Sequence, residues 1–154
     1  MQNSVHHQPR PYRWLAAELV ADFLIMYFVM FAMIASLDHL RHNLNTVYMT
    51  LMMVAPMAVL MIVTMRSMYP DRRLNLLLIA AFATLFAVAT FGVRTQAAIG
   101  DRQFLLSMIP HHSGAILMCR EARVRDPEIM RLCDGIIRSQ SQEIAQMEAI
   151  LKRT

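Results

Sequence analysis

Glycine is scarce in this chain, with only four in 154 residues. No internal repeat, low-complexity tract or Gly/Ser-rich linker interrupts the sequence. These absences argue against long flexible connections and favour a protein that is almost entirely helical. The sequence also offers no nucleophile paired with a base and no carboxylate pair with a recognisable substrate site. We therefore expect no enzyme activity.

Charged residues are missing from two long stretches. Residues 47–65 and 74–93 contain none over 19 and 20 residues, and a further apolar block covers residues 15–37. Each block is long enough to cross a hydrocarbon core roughly 30 Å thick as a helix. The hydrophobic fraction of 56% is also too high for an ordinary soluble domain. The sequence therefore predicts three transmembrane helices.

The first block carries two carboxylates near its start, Glu18 and Asp22, one helical turn apart. It has no small-x-small cleavage site after it, so we expect it to be retained rather than removed as a signal peptide. Two interpretations of the carboxylates stay open. They are hydrated or paired with Arg13 near the membrane interface, or Asp22 contributes to an ion path inside a helical bundle.

Arginine is distributed unevenly around the apolar blocks, and short cytoplasmic loops are the ones enriched in Lys and Arg. The N-terminal flank and the second loop are basic, whereas the first loop has one arginine. We therefore expect the N-terminus in the cytoplasm and the chain after the third block in the periplasm, across a bacterial inner membrane. Because this arrangement explains the net charge of +4, membrane lipid is an expected partner and nucleic acid is not. The arginines concerned are Arg10, Arg13, Arg41, Arg66, Arg72 and Arg73.

The polar segment after the third block has the pattern of two amphipathic helices. Asp101 begins the first helix as an N-cap or as a first-turn acid. Pro110 is expected to kink this helix or to separate a short helix from it. Asp126 followed by Pro127 is a strong start signal for the second helix. The sequence therefore predicts a helical hairpin that reverses just before Asp126.

The register of this hairpin places Cys119 opposite Cys133 and His112 opposite Gln140, with Glu143 one turn further along. Three alternatives stay open for the cysteines in an oxidising compartment. They form a disulfide that joins the helices, they pack as free thiols, or they bind copper as thiolates. The seam between the helices collects polar side chains, which are costly to bury unless partners satisfy them.

Histidine and methionine share one side of the first amphipathic helix. Met108, His111, His112 and Met118 are related by steps of three, four or seven residues, which return to the same helix face. The register brings Met147 close to Met108. Imidazole binds several transition metals, whereas thioether sulfur favours Cu(I). The pattern therefore predicts copper, as Cu(I), before zinc or iron; the alternative is that the histidines only organise the hairpin.

The hairpin residues also form a long motif. It runs Asp101-x-x-Phe104-Leu105-x-x-Met108-Ile109-Pro110-His111-His112, then Asp126-Pro127-Glu128, then Gln140-x-x-Glu143-Ile144-x-x-Met147. Over about residues 101–152 it resembles the bacterial family of unknown function numbered 305. The resemblance implies a truncated ferritin-type helical domain, often periplasmic and associated with copper handling. By this likeness the metal ligands are Met108, His111, His112, Met118 and Met147, with Asp101 and Glu143 as weaker candidates.

Ferritin-like folds also hold di-iron sites, which use Glu-x-x-His pairs on facing helices. No Glu-x-x-His occurs in this chain, so we do not expect di-iron chemistry. Glu143 and Gln140 are instead candidates for orienting an imidazole that binds metal.

Methionine makes up 15 of the 154 residues. In the second apolar block it recurs at every fourth position, and such a ridge turns by about 40° at each step, so that it winds around the helix. Two interpretations stay open, flexible packing in the membrane or a thioether ladder that passes Cu(I) across it. The ladder resembles the Met-x-x-x-Met of trimeric copper uptake transporters with three spans. Its members are Met49, Met53, Met57, Met61 and Met65, and Pro56 is expected to kink the helix.

Asp38, His39 and His42 follow the first block, on the predicted outer side. Asp38 and His42 are neighbours at helical spacing. With Met49 they would form an external copper-binding site or a docking site for the hairpin. The alternative is a hydrated loop that happens to contain histidine.

The sequence thus predicts an all-α protein in three parts: a cytoplasmic tail (1–13), three transmembrane helices (14–94) and a periplasmic metal-binding hairpin (95–154). The hairpin is too small for a robust core and is expected to complete a ferritin-like bundle as a homo-oligomer, most simply a dimer. The leading functional prediction is a membrane-anchored copper-binding protein for resistance, buffering or delivery, with periplasmic copper proteins as partners. The alternatives are a copper transporter and a structural membrane adaptor.

Overall fold

A computed structural model describes residues 11–153 of the chain and contains, over that range, only helices, turns and irregular segments. This confirms the all-α prediction. A short 3-10 helix, Leu37–His39, lies between the first two helices. The α-helices are α1 (Pro11–Val29), α2 (Leu44–Thr64), α3 (Arg72–Thr95), α4 (Asp101–Glu121) and α5 (Pro127–Leu151). Most of the predicted tail lies outside the described residues, and its last three residues, from Pro11 onward, are helical.

Two helices, α2 and α3, are long and apolar enough to cross a membrane. The prediction of three such helices is therefore wrong. The helix α1 is 19 residues long and includes Arg13, Glu18 and Asp22, and each charge is costly inside hydrocarbon. The apolar block of residues 15–37 is also not one helix, because α1 ends at Val29 and the chain continues through turns.

The helix α2 lies in the middle of the first three helices and contacts both α1 and α3. At one end, Leu15 of α1 packs in a buried cluster with Ile62 of α2 and Tyr69 of the following loop. At the other end, Gly92 of α3 lets the ring of Tyr48 approach closely; a Cβ at this glycine would lie 3.0 Å from that ring. The absence of a side chain is thus what allows α2 and α3 to meet there.

The helix α4 is continuous from Asp101 to Glu121, so of the two expectations for Pro110 the separate short helix is wrong. Its N-cap is Gly100, which makes Asp101 a first-turn acid rather than the cap. The helix α5 begins as predicted: Asp126 accepts hydrogen bonds from the backbone amides of Glu128 and Ile129. Pro56 likewise lies inside an uninterrupted α2.

The helices α4 and α5 pack against each other along their length. Cys119, late in α4, forms a disulfide with Cys133, early in α5, with their Cα atoms 5.2 Å apart. Of the three alternatives for the cysteines, the structure has the disulfide. The shared core consists of buried apolar side chains from both helices, namely Leu105, Ile109, Ile116, Ile144 and Met147.

Residues 33–45, which lead from α1 into the first residues of α2, dock onto the α4–α5 pair. The hydroxyl of Ser113 in α4 lies 2.7 Å from the backbone amide of Ala35, which donates to it. Arg41 pairs with Glu148 of α5 at 3.2 Å. These contacts place the pair beside the N-terminal end of α2, away from the loop between α2 and α3.

We expect Gly135→Ala to raise the stability of the α4–α5 pair by about 0.5–1 kcal/mol. Gly135 lies inside α5 with open space around the position of a Cβ, and alanine is the better helix former there. Gly114→Ala is the matched control in α4, because its Cβ would lie 3.3 Å from the carbonyl oxygen of Met33. Thermal melting of the full chain in detergent measures both. Equal stabilisation by the two variants would contradict the prediction.

Candidate metal site

The site is centred on His112, which α4 directs toward α5. Its Nδ1 atom lies 3.0 Å from Oε2 of Glu143. This carboxylate oxygen lies off the direction in which an N–H at Nδ1 would point, so Nδ1 is buried without a hydrogen-bond partner. Only 9% of His112 is exposed, and an unsatisfied polar atom at such a position is unfavourable in the absence of a ligand.

The electrostatic environment keeps His112 neutral. Burial lowers the pKa of its imidazole below the ordinary value of 6.5, Glu143 raises this pKa, and His111 lowers it. Burial is the largest of these effects, so at pH 7 the ring is uncharged and a nitrogen lone pair is available. A neutral imidazole needs to release no proton when it binds a metal ion.

Two methionines belong to the core of the same helix pair, each one helical turn from a member of this histidine–carboxylate pair. Met147 is buried in the core between α4 and α5, one turn after Glu143. Met108 is partly buried and packs against the same core, one turn before His112. The structure therefore brings two of the predicted thioethers to the seam that holds the imidazole. Met118 does not join them, because 54% of it is exposed.

The other predicted ligands of the hairpin are more peripheral. His111 is exposed, and its ring centroid lies 6.0 Å from that of His112. Asp101 is exposed in the first turn of α4, almost three turns before His112. Gln140 is half-buried one turn before Glu143 on α5. Both cysteines are bonded to each other, so ligation by their thiolates does not apply to this form of the protein.

Within residues 11–153 no group of three or more His, Cys, Asp or Glu side chains is arranged to hold a metal ion. At this seam His112 and Glu143 supply one nitrogen and one oxygen that could bind a metal ion. Four-coordinate sites built from nitrogen, oxygen and thiolate ligands, as zinc prefers, need more than this pair.

The residues Asp38, His39 and His42 are not brought together. The Nδ1 atom of His39 lies 2.8 Å from the hydroxyl of Ser113. His42 instead stacks on Tyr27 and hydrogen-bonds to its hydroxyl at 3.1 Å. The geometry agrees with the docking alternative, since His39 contacts α4 directly beside His112.

The methionine ladder of α2 does not lie on one buried line. Its ends are exposed and its middle members are half-buried, as expected for a ridge that winds around the helix. The exposed members are Met49 and Met65, and the half-buried ones are Met53, Met57 and Met61.

The sequence analysis missed Ser113, which is fully buried and contacts both Ala35 and His39. Its partners are more than 70 residues away, and no local pattern marks a serine for this role. Glu143 was a weaker candidate, yet it is the acidic group that lies against His112. The spacing of one helical turn between Glu143 and Met147 on α5 was the sequence signal that could have made Glu143 a leading candidate.

Comparison with known proteins agrees with the motif. Residues 90–151 match the family described as Domain of unknown function (DUF305). The chain is also 39% identical, over 118 residues, to a protein of Acanthamoeba polyphaga mimivirus that is named as uncharacterized. The aligned part covers 75% of this chain and 76% of the viral protein, so the likeness extends beyond the matched domain. No solved structure matches the chain.

Proposed function

The chain belongs to the DUF305 family, and we propose that it binds copper at the outer face of a membrane, as Cu(I) held by histidine and methionine side chains. The observation that carries this proposal is the Nδ1 atom of His112, which is buried, neutral and without a hydrogen-bond partner. A bound cation would satisfy both this nitrogen and the carboxylate of Glu143. The proposed role is binding for copper resistance, buffering or delivery, rather than catalysis.

The donor set is the argument for copper over harder metals. One imidazole and one carboxylate meet at the seam, and Met108 and Met147 belong to the core of the same seam, one helical turn from His112 and Glu143 respectively. Thioethers are soft ligands that suit Cu(I) and contribute little to the binding of zinc or magnesium. Glu143 would act as a ligand or would hold the imidazole in its binding orientation.

The proposed location rests on the apolar helices α2 and α3, which we take to cross the membrane. The loop between them carries a basic flank, with Arg66, Arg72 and Arg73 close to the helix ends. Such loops stay in the cytoplasm. The α4–α5 pair docks at the opposite end of α2, through Arg41 and the segment around it. Under this proposal the pair lies outside, which in a bacterium is the periplasmic face of the inner membrane.

The α4–α5 pair also exposes several large apolar side chains, which supports the proposal of a homodimer that closes a ferritin-like four-helix bundle. Large apolar side chains are exposed on both helices, and isolated soluble domains rarely expose several together. They are Met118, Ile129, Met130 and Leu132.

The test is a Cu(I) competition titration of the full chain in detergent against a chromogenic chelator. We expect His112→Ala to weaken binding at least about 100-fold and Glu143→Gln by about 10–100-fold. Met147→Leu and Met118→Leu form a matched pair, because the swap nearly conserves volume. The first should weaken binding, and the second, at an exposed position, should not.

Two results would contradict the site. If copper binding is unchanged in His112→Ala and also in the double variant with His111→Ala, the copper site would have to be reassigned to α2. The runner-up, a transporter that uses the ladder of α2, is favoured by the central position of that helix and predicts copper flux into liposomes. No binding in any variant would leave a structural membrane adaptor, which the docking of residues 33–45 onto α4 supports.

A further inference from the structure

A cavity of about 170 Å³ lies between the segment that follows α1 and the α4–α5 pair. Its apolar wall is formed by Ala35, Ile116 and Ile144. A water molecule occupies about 30 Å³ in the liquid. The space therefore suits a ligand of roughly six non-hydrogen atoms, with a short apolar part against this wall.

The polar wall of the cavity is made of hydrogen-bond donors. Ser36 and His39 contribute from the segment, Arg120 from α4 and Ser141 from α5. When Ser113 donates its hydroxyl hydrogen to Nδ1 of His39, the ring carries its own hydrogen on Nε2 and can donate it to a ligand. No Asp or Glu side chain lines the cavity. The lining thus combines one permanent positive charge with several donors and no competing carboxylate.

Arg120 is available to a ligand, because it takes part in neither of the two ion pairs found within residues 11–153. A guanidinium binds a carboxylate through two parallel hydrogen bonds. A single arginine matches a single negative charge, and the apolar wall matches a short alkyl chain. Phosphate and sulfate would leave that wall facing a hydrated dianion.

We propose that this cavity binds a small aliphatic monocarboxylate, with its carboxylate on Arg120 and His39 and its alkyl chain against Ile116 and Ile144. The ligand would bridge the segment to both helices of the pair. The cavity is lined by neither His112 nor Glu143. The proposal is therefore independent of copper binding, and either one can fail without the other.

The test is a carbon NMR titration of the full chain in detergent with isotope-labelled butyrate, which has the size that the cavity suits. We expect a Kd on the order of 1 mM, given the size of the ligand. Butyramide has the same shape without the charge and should not bind measurably. Arg120→Gln should weaken carboxylate binding about tenfold or more, because a charge-assisted hydrogen bond is lost. Arg131→Gln is the control, since Arg131 is exposed on α5 outside the cavity.

The variants are suited to this comparison because Arg120 and Arg131 are both exposed, so neither substitution disturbs the core. Unchanged melting temperatures check that point. Equal binding of the amide would show partition into an apolar space and would overturn the proposal. No binding by the unmodified chain, or equal losses in the two arginine variants, would overturn it as well.

Discussion

Replacing Cys119 and Cys133 together with serine is expected to destabilise the α4–α5 pair by about 3 kcal/mol. The disulfide closes a loop with a sequence separation of 14 residues. In the chain-entropy account, a loop of about this length restricts the unfolded chain by that amount. Hydrogen exchange of the full chain measures the effect locally, and backbone amides in the middle of α4 and α5 should exchange about 100-fold faster.

Reduction supplies the control for this variant. A thiol reductant should accelerate exchange in the unmodified chain to the rate of the double serine variant and should leave that variant unchanged. Amides of α2 and α3 should keep their protection, because these two helices pack against each other and neither contains a cysteine of the disulfide. Unchanged exchange in α4 and α5, or an equal loss in all four helices, would contradict the prediction.

Local signals in the sequence were sufficient to predict α4 and α5. Asp126 and Pro127 fix the start of α5 by capping and by a preset backbone angle, and both effects act within one helical turn. The apolar periodicity of the two helices was also enough to place Cys119 opposite Cys133 and Glu143 near His112. Short-range patterns and one reversal of the chain were therefore sufficient to predict most of the candidate site.

Local signals did not predict the structure correctly where contacts between distant parts of the chain determine it. Pro110 lacks an amide hydrogen and usually breaks a helix, but its neighbour Ile109 is fully buried in the core shared with α5. That packing holds α4 continuous across the proline. The docking of His39 onto Ser113 joins positions 74 residues apart, and no pattern within either segment indicates the other.

The prediction that the first apolar block forms a transmembrane helix failed for a different reason. Its hydropathy suggested a span, but hydropathy averaged over the block hides three charges that all fall within one helix. Arg13, Glu18 and Asp22 lie in the first twelve residues of α1, so a span would carry them at or below the membrane interface. The length of an apolar block is thus a weaker criterion than the position of the charges in the helix it forms.

Ile109→Ala is expected to destabilise the α4–α5 pair by about 2–5 kcal/mol, because it removes a fully buried side chain and leaves a cavity. Gln142→Ala is the control: the side chain is exposed on α5 and is not among the apolar side chains of the proposed dimer contact, so its loss should change stability by no more than about 0.5 kcal/mol. Hydrogen exchange of the pair measures both. Comparable effects of the two substitutions would contradict the assignment of the core.

The combination of these losses tests what holds the pair folded. A helical pair of this size gains no more than about 3–5 kcal/mol from its own core, and the core residue and the disulfide are separate contributions that should add. Ile109→Ala alone should leave the pair folded while the disulfide is intact. Adding the two serine substitutions should abolish the protection of α4 and α5 altogether. If that triple variant stayed protected, the docked segment 33–45 or a second copy of the chain would have to supply the missing stability.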